Sequence, residues 1–216
     1  MAFSDLRKYS GGFGLSLAAL VMANLIPLFG VVFLGWGLIT VLMLFCLEAL
    51  VVGVTYLIKI FISYTSSSSQ GKIALVIMVF YFLHFSVFIT VYTLILINLF
   101  APPEYEHIFY SMNIGDLFEK LLIEMELKWA FAALVFSNVV SLVFVYIGGR
   151  EYQKADPAEL MFVPYKYLFS IHFGFLIGAH IAVIFGMTTM PFLSVLLILK
   201  TAMDLRWYFK EQDKMH

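Results

Sequence analysis

Charge is what this sequence has least of. Asp, Glu, Lys and Arg make up 12% of its 216 residues, and residues 13–47 carry none of them. That is about half the share of a soluble domain. Cysteine is nearly absent as well. A single Cys46 leaves no internal disulfide and no thiolate metal cluster, and it says nothing about compartment. No cluster of Lys and Arg forms a basic patch, so no nucleic-acid partner is expected. Strict alternation of apolar and polar residues is missing, which excludes a membrane β-barrel. Marked catalytic and metal motifs are missing too: there is no H-E-x-x-H, no C-x-x-C-H and no G-x-S-G.

What the sequence does have is apolar length. Hydrophobic residues make up 62% and mean hydropathy is +0.97. A crossing helix needs about 20 predominantly apolar residues. Lipid offers the backbone no hydrogen bonds, so helices are the remaining solution. The fold class expected is all-α: one polytopic transmembrane bundle over residues 1–216, with spans at about 11–29, 38–62, 73–100, 129–147, 165–187 and 192–209. Arg7 and Lys8 before an apolar stretch resemble the start of a signal peptide. The apolar run outlasts a signal's 7–15 residues, and the segment reads as an uncleaved first span. Pro27 and Gly30 are expected to end it.

Six spans place both termini on one side. That side then holds Arg7, Lys8, Lys59, Lys72, Arg150, Lys154, Lys166, Arg206, Lys210 and Lys214, and the other side only Lys120 and Lys128. Positive charge marks the cytoplasm, so both termini are expected there, in an inner (plasma) membrane. Between spans, Asp116-Leu117-Phe118-Glu119 has the form of a capping box. Leu117, Phe118, Leu121, Leu122 and Met125 recur behind it at helical spacing, predicting an amphipathic helix over about 116–127 on the outer face. Asp156-Pro157-Ala158-Glu159 is a second helix start, and that helix is expected to stop before Pro164.

The charges that do fall inside spans are the candidate functional residues. One charge at the bilayer centre costs about 2.5–3.5 kcal/mol, and such residues usually line a path or face the bundle interior. At about 1.5 Å rise per residue, Glu48, His84, Asn138 and Lys200 share the middle third. His172 and Asp204 lie nearer the cytoplasm, and Asn24 and His180 nearer the outside. Glu48 and Lys200 are the natural pair. Lys200 and Asp204, four apart, share a helix face. Glu48, Thr55 and Lys59 form a stripe running from the midplane to the cytoplasmic side. Tyr165 and His172 share another face, opposite a close-packing row of Gly174, Gly178, Ala182 and Gly186. His84 with His180 has the chemistry of axial haem ligands, and His172 with Asp204 or Glu48 that of a metal site. No local motif accompanies either, and neither cofactor nor metal is expected.

Residues Asn24 to Val31, Trp36, Leu47-Glu48 and Lys59 form one group of landmarks. Glu151-Tyr152, Pro164-Tyr165, His172 and Lys200 to Leu205 form a second. On these landmarks, over most of its length, the chain resembles a family of prokaryotic polytopic membrane proteins of unknown function. It departs from that family's pattern in having Cys46-Leu47 before Glu48, Ala49 after it, and Asn138 in place of a histidine. The resemblance implies an architecture and a set of positions, and no activity.

The function expected is movement of protons, ions or a small polar solute through the midplane layer, with Glu48 and His84 titrating, Lys200 as counter-charge, and Asp204 with His172 as the exit. Two alternatives accompany it. One is an intramembrane acid/base enzyme on a lipidic substrate, with His84 or His172 as the acid/base. The other is a structural or assembly subunit whose charges lock helices together. Partners expected are membrane lipids, with a second copy or a partner subunit.

Overall fold

The computed structural model describes residues 11–66, 71–100, 119–166, 168–169 and 189–215, and everything secondary in it is helical. Helix α1 is Gly11–Phe33, α2 Leu38–Ser66 and α3 Gly71–Phe100. Helix α4 runs over Lys128–Val140 and passes into a π-helical segment, Ser141–Ile147. Helix α5 covers 157–166 and continues at 168–169. Helix α6 is Thr189–Met215. Among the described residues, four stretches are long and apolar enough to cross a membrane: Gly14–Phe33, Leu38–Thr65, Leu75–Asn98 and Lys128–Ile147. The expected fifth span lies mostly outside the described residues, as do His172, His180 and the small-residue row. Helix α6 carries the expected sixth span. With Lys200, Asp204 and Arg206 inside it, α6 falls short of those four in apolar character.

Two prolines sit inside helices that were expected to end at them. Helix α1 continues through Pro27 to Phe33, and α5 runs through Pro164. Both prolines are buried. Each removes one N–H bond to the carbonyl four residues back, but a helix surrounded by apolar groups has no other partner for the remaining bonds and keeps them. What ends α1 is Gly35. It adopts φ +70°, in the left-handed region, and lets the Leu34 and Trp36 N–H groups both donate to the Gly30 carbonyl at 3.1 Å. The amphipathic segment also differs from expectation. Its first residues, 116–118, lie outside the described residues. Lys120–Glu124 is a single π turn closed by the Met125 N–H donating to the Lys120 carbonyl at 3.0 Å. The Lys120 ammonium pairs with Glu124 across it. Leu121 and Met125 are buried, as the spacing required, with Leu122 partly so; Leu127, outside that set, is buried too, and Glu126 at φ 57° turns the chain into α4.

Packing divides into two apolar levels. One joins the end of α1, the start of α2, the end of α3, the Lys120–Glu124 turn and the starts of α4 and α6, through Val31, Leu42, Phe45, Ile97, Leu127, Leu193 and Leu197. The other joins the end of α2 and the start of α3 with Tyr146 and α5, through Val52, Ile60, Tyr81, Phe85, Leu160 and Leu168. Helix ends therefore alternate between two sides. On α3, only 17% of the apolar window is buried. Val76, Phe80, Phe82, Leu83 and Val87 face outward, a surface suited to lipid and not to water.

Helices α2 and α3 touch where Gly53 has no side chain. A Cβ there would lie 2.2 Å from the Phe85 ring, and the neighbouring Tyr81 hydroxyl donates to the Gly53 carbonyl at 3.0 Å. Gly53→Ala is expected to destabilise the bundle by about 1–3 kcal/mol through overpacking, with Gly53→Ala/Phe85→Leu recovering part of the loss. Denaturant unfolding in detergent measures both. An unchanged transition in Gly53→Ala would mean the helices stand farther apart than described.

Candidate functional site

Helical spacing builds one polar cavity. Ser16, Leu20, Ala23 and Asn24 lie on one face of α1; Glu48, Val52, Thr55, Tyr56 and Lys59 on one face of α2. Both sets follow the i, i+4, i+7, i+8 rule of a single helix face. Helix α4 adds Ser137, Asn138 and Ser141, and α6 adds Asp204, Trp207 and Tyr208. Together with the turn after α4 and with α5, they enclose about 1220 Å³. Among the described residues, none from α3 lines this wall.

The cavity is one-sided. Its α1 residues stop at Asn24, its α2 residues start at Glu48, and its α6 residues start at Asp204. Beyond that level the described residues pack as the first apolar cluster, where Leu42, Phe45, Leu193, Leu196 and Leu197 are almost wholly buried. At the other end the wall carries Arg150, Glu151, Lys154, Glu159, Lys166 and Lys210. From Lys59 to Glu48 is eleven residues, so the cavity reaches about 16 Å into the bundle.

The closed end is an ion-pair cluster. Lys200 Nζ donates to Glu48 Oε1 at 2.6 Å and to Asn24 Oδ1 at 3.0 Å. It also lies 2.7 Å from Asp204 Oδ2 and 5.6 Å from the centre of the Phe45 ring. All four polar residues are buried. Asn24 is fixed by a second bond, its amide donating to the Leu20 carbonyl at 3.1 Å. Three helices, α1, α2 and α6, are thus tied by one ammonium. Two carboxyl groups share that ammonium, so among the described residues the cluster holds carboxyl and ammonium groups two to one.

The structure brings together part of the set expected from sequence. Glu48, Lys200 and Asp204 meet directly. Asn24, expected nearer the outside, binds Lys200 and lies at the same level: its helix runs on to Phe33, past the expected end at about residue 29, which brings Asn24 closer to the middle. Asn138 lines the cavity, with its amide donating to the Leu134 carbonyl at 2.9 Å. His84 stands apart. The face of α3 that meets α2 is Tyr81, Phe85 and Ile89, which turns His84 outward. There its Nδ1 is 2.7 Å from the Tyr165 hydroxyl. Tyr165 belongs to both settings, since it also lines the cavity. Among the described residues, no group of three or more His, Cys, Asp or Glu could hold a metal ion.

Sequence reasoning missed Ser137, Ser141 and Tyr146. The two serines, four apart, were a readable signal. Tyr146 was not, because it reaches the wall through the π segment, where the Gly148 N–H donates to the Val143 carbonyl at 2.9 Å. Such a turn shifts the face of every later residue and recurs at functional sites.

Residues 8–216 match the family model of DUF6498, a family of unknown function. The chain belongs to that family. No curated protein and no solved structure matches it.

Removing the shared ammonium leaves two carboxyl groups facing each other in a buried site. Lys200→Met is expected to cost about 3–5 kcal/mol, and the triple change Glu48→Gln/Asp204→Asn/Lys200→Met to restore much of it. Unfolding midpoints of the purified proteins in detergent measure both. Equal stability of Lys200→Met and the parent chain would contradict the described cluster.

Proposed function

We propose that this protein is a multi-pass membrane protein that carries a proton, an ion or a small polar solute between the cavity and the Glu48–Lys200–Asp204 cluster. The observation that carries the reading is the cavity's shape: open at the end rich in charge, closed by apolar packing beyond the cluster. A path stopped at a charge cluster is the form expected of one state of a transporter, in which the apolar seal and the open mouth exchange sides. The two-to-one ratio of carboxyl to ammonium favours protons or monovalent cations as the coupling species. Asn24 is a neutral ligand that orients the ammonium.

The same reading includes six crossings with both termini in the cytoplasm of an inner membrane. The alternation of helix ends supports the odd–even order of the spans, and the segregation of Lys and Arg supports the orientation. The cavity mouth then faces the cytoplasm. In a Cys46→Ser background, a cysteine replacing Ser68 is expected to react with an impermeant thiol reagent only from the cytoplasmic side, and one replacing Ser111 only from the outside. Labelling of both from one side would overturn the six-span order.

Transport is tested in proteoliposomes under an imposed proton or cation gradient. Glu48→Gln and Asp204→Asn are each expected to reduce flux at least about tenfold, the equivalent of about 1.4 kcal/mol in a barrier, while remaining folded by circular dichroism. Wild-type flux in the folded Glu48→Gln/Lys200→Met double variant would reject the proposal. Turnover of a membrane lipid without flux would favour the intramembrane enzyme instead, a reading whose one specific support is the outward-facing His84–Tyr165 pair.

A further inference from the structure

Lys59 is a second buried ammonium, and its setting is unlike that of Lys200. It is 7% exposed and lines the wall three turns from Glu48 on the same face of α2. Its Nζ lies 4.3 Å from the centre of the Tyr56 ring and 5.2 Å from that of Tyr146. Among the described residues, no carboxylate oxygen comes within 4.0 Å of it. The acidic residues of the same wall, Glu48, Glu151, Asp156, Glu159 and Asp204, stand farther off, and Asp156 caps α5 by accepting the Ala158 N–H at 2.9 Å.

The aromatic clamp is built in. Tyr146 donates its hydroxyl to the Lys59 carbonyl at 3.0 Å and stands 2.6 Å from Ser63 Oγ. Its ring is therefore held against the lysine by groups on the lysine's own helix. Ring faces attract a cation without cancelling its charge. Buried charges are otherwise paired, because an uncompensated one is costly to keep out of water. A cation held in place by two rings, facing a cavity and with no carboxylate oxygen within 4.0 Å among the described residues, is a site with one component missing.

We infer that Lys59, clamped between Tyr56 and Tyr146, is the binding site for an oxyanion, a carboxylate or phosphate group, that enters the cavity. This deepens the reading of the cavity as a solute path by naming the solute's charge, and it stands on Lys59 and not on the ion-pair cluster. Bound there, the anion accepts from the ammonium about 16 Å short of Glu48. Its source is either a dissolved oxyanion or the headgroup of an anionic lipid at the mouth, and the two are separable.

The test uses the full chain in phosphatidylcholine nanodiscs. A water-soluble amine-acylating reagent is applied, and acylation of Lys59 is followed by peptide mass spectrometry. Inorganic phosphate or acetate, against sodium chloride of equal ionic strength, is expected to slow Lys59 acylation about tenfold at about ten times its Kd. Protection by phosphate or acetate identifies a dissolved oxyanion. Protection only when phosphatidylglycerol replaces part of the phosphatidylcholine identifies a headgroup. No protection from either source, or equal protection by chloride, overturns the inference. So does an amine the reagent never reaches, since a hydrated oxyanion needs the same opening. Where phosphate protects, phosphorus NMR of the variants follows: Lys59→Arg and Glu48→Gln should keep phosphate binding and Lys59→Met lose it. Phosphate binding unchanged in a folded Lys59→Met also overturns the site. Lys59 protection with no flux in proteoliposomes would reject transport alone, and flux without protection would reject the oxyanion site alone.

Discussion

The rest of this structure depends on one ammonium group. Lys200 holds Glu48 on α2, Asn24 on α1 and its own helix's Asp204 at the inner limit of the cavity. In an apolar bundle such a group sets register: sliding or turning any of the three helices by a residue would strand a charge where water cannot reach it. Apolar side chains give α1, α2 and α6 area to pack, but those contacts are non-directional and nearly as good one turn away. The ion pairs are directional. They determine which faces of the three helices meet, and so which faces are left to form the cavity wall.

The cavity follows from that choice. Once Asn24, Glu48 and Asp204 are brought together, the residues one and two turns along α1 and α6 toward the charged end, and one to three turns along α2, line the same space. Opposite them, α4 loosens into a π segment at Ser141–Ile147, which carries Tyr146 round to meet α2. In the other direction each helix is apolar, and the chain closes on Leu, Val and Phe. A polar cavity with a charge cluster at its base and an apolar cluster behind is thus the consequence of uneven polarity along the helices, not of one special loop. Lys59 fits the same logic from the opposite side: it is the cation that the Lys200 cluster does not use, kept buried by aromatic rings in place of carboxylates.

Much of this was legible from residue type and spacing. The apolar runs gave the helices, because a backbone in apolar surroundings must bond to itself. Lys200 and Asp204 had to share a face at four residues' separation, and Glu48 was the only other acid at their depth. Other features were not legible. Asn24 appeared too far out because Pro27 looked like a helix end, and the helix passes through it. His84 shared the depth of Glu48, but depth says nothing about rotation, and the Tyr81–Phe85–Ile89 face of α3 took the contact with α2. Tyr146 could not be placed without knowing that α4 changes its hydrogen-bond spacing.

The sequence by itself determined the class of the molecule, the helices and the identity of the costly charges, since each of these follows from local composition and a fixed rise per residue. Only the tertiary structure decided which charges meet, that the polar space opens at one end, and that Lys59 is walled in by tyrosines. Those outcomes rest on helix rotation about the long axis. Rotation is set by contacts between residues distant in the chain, and neither hydropathy nor depth carries that information.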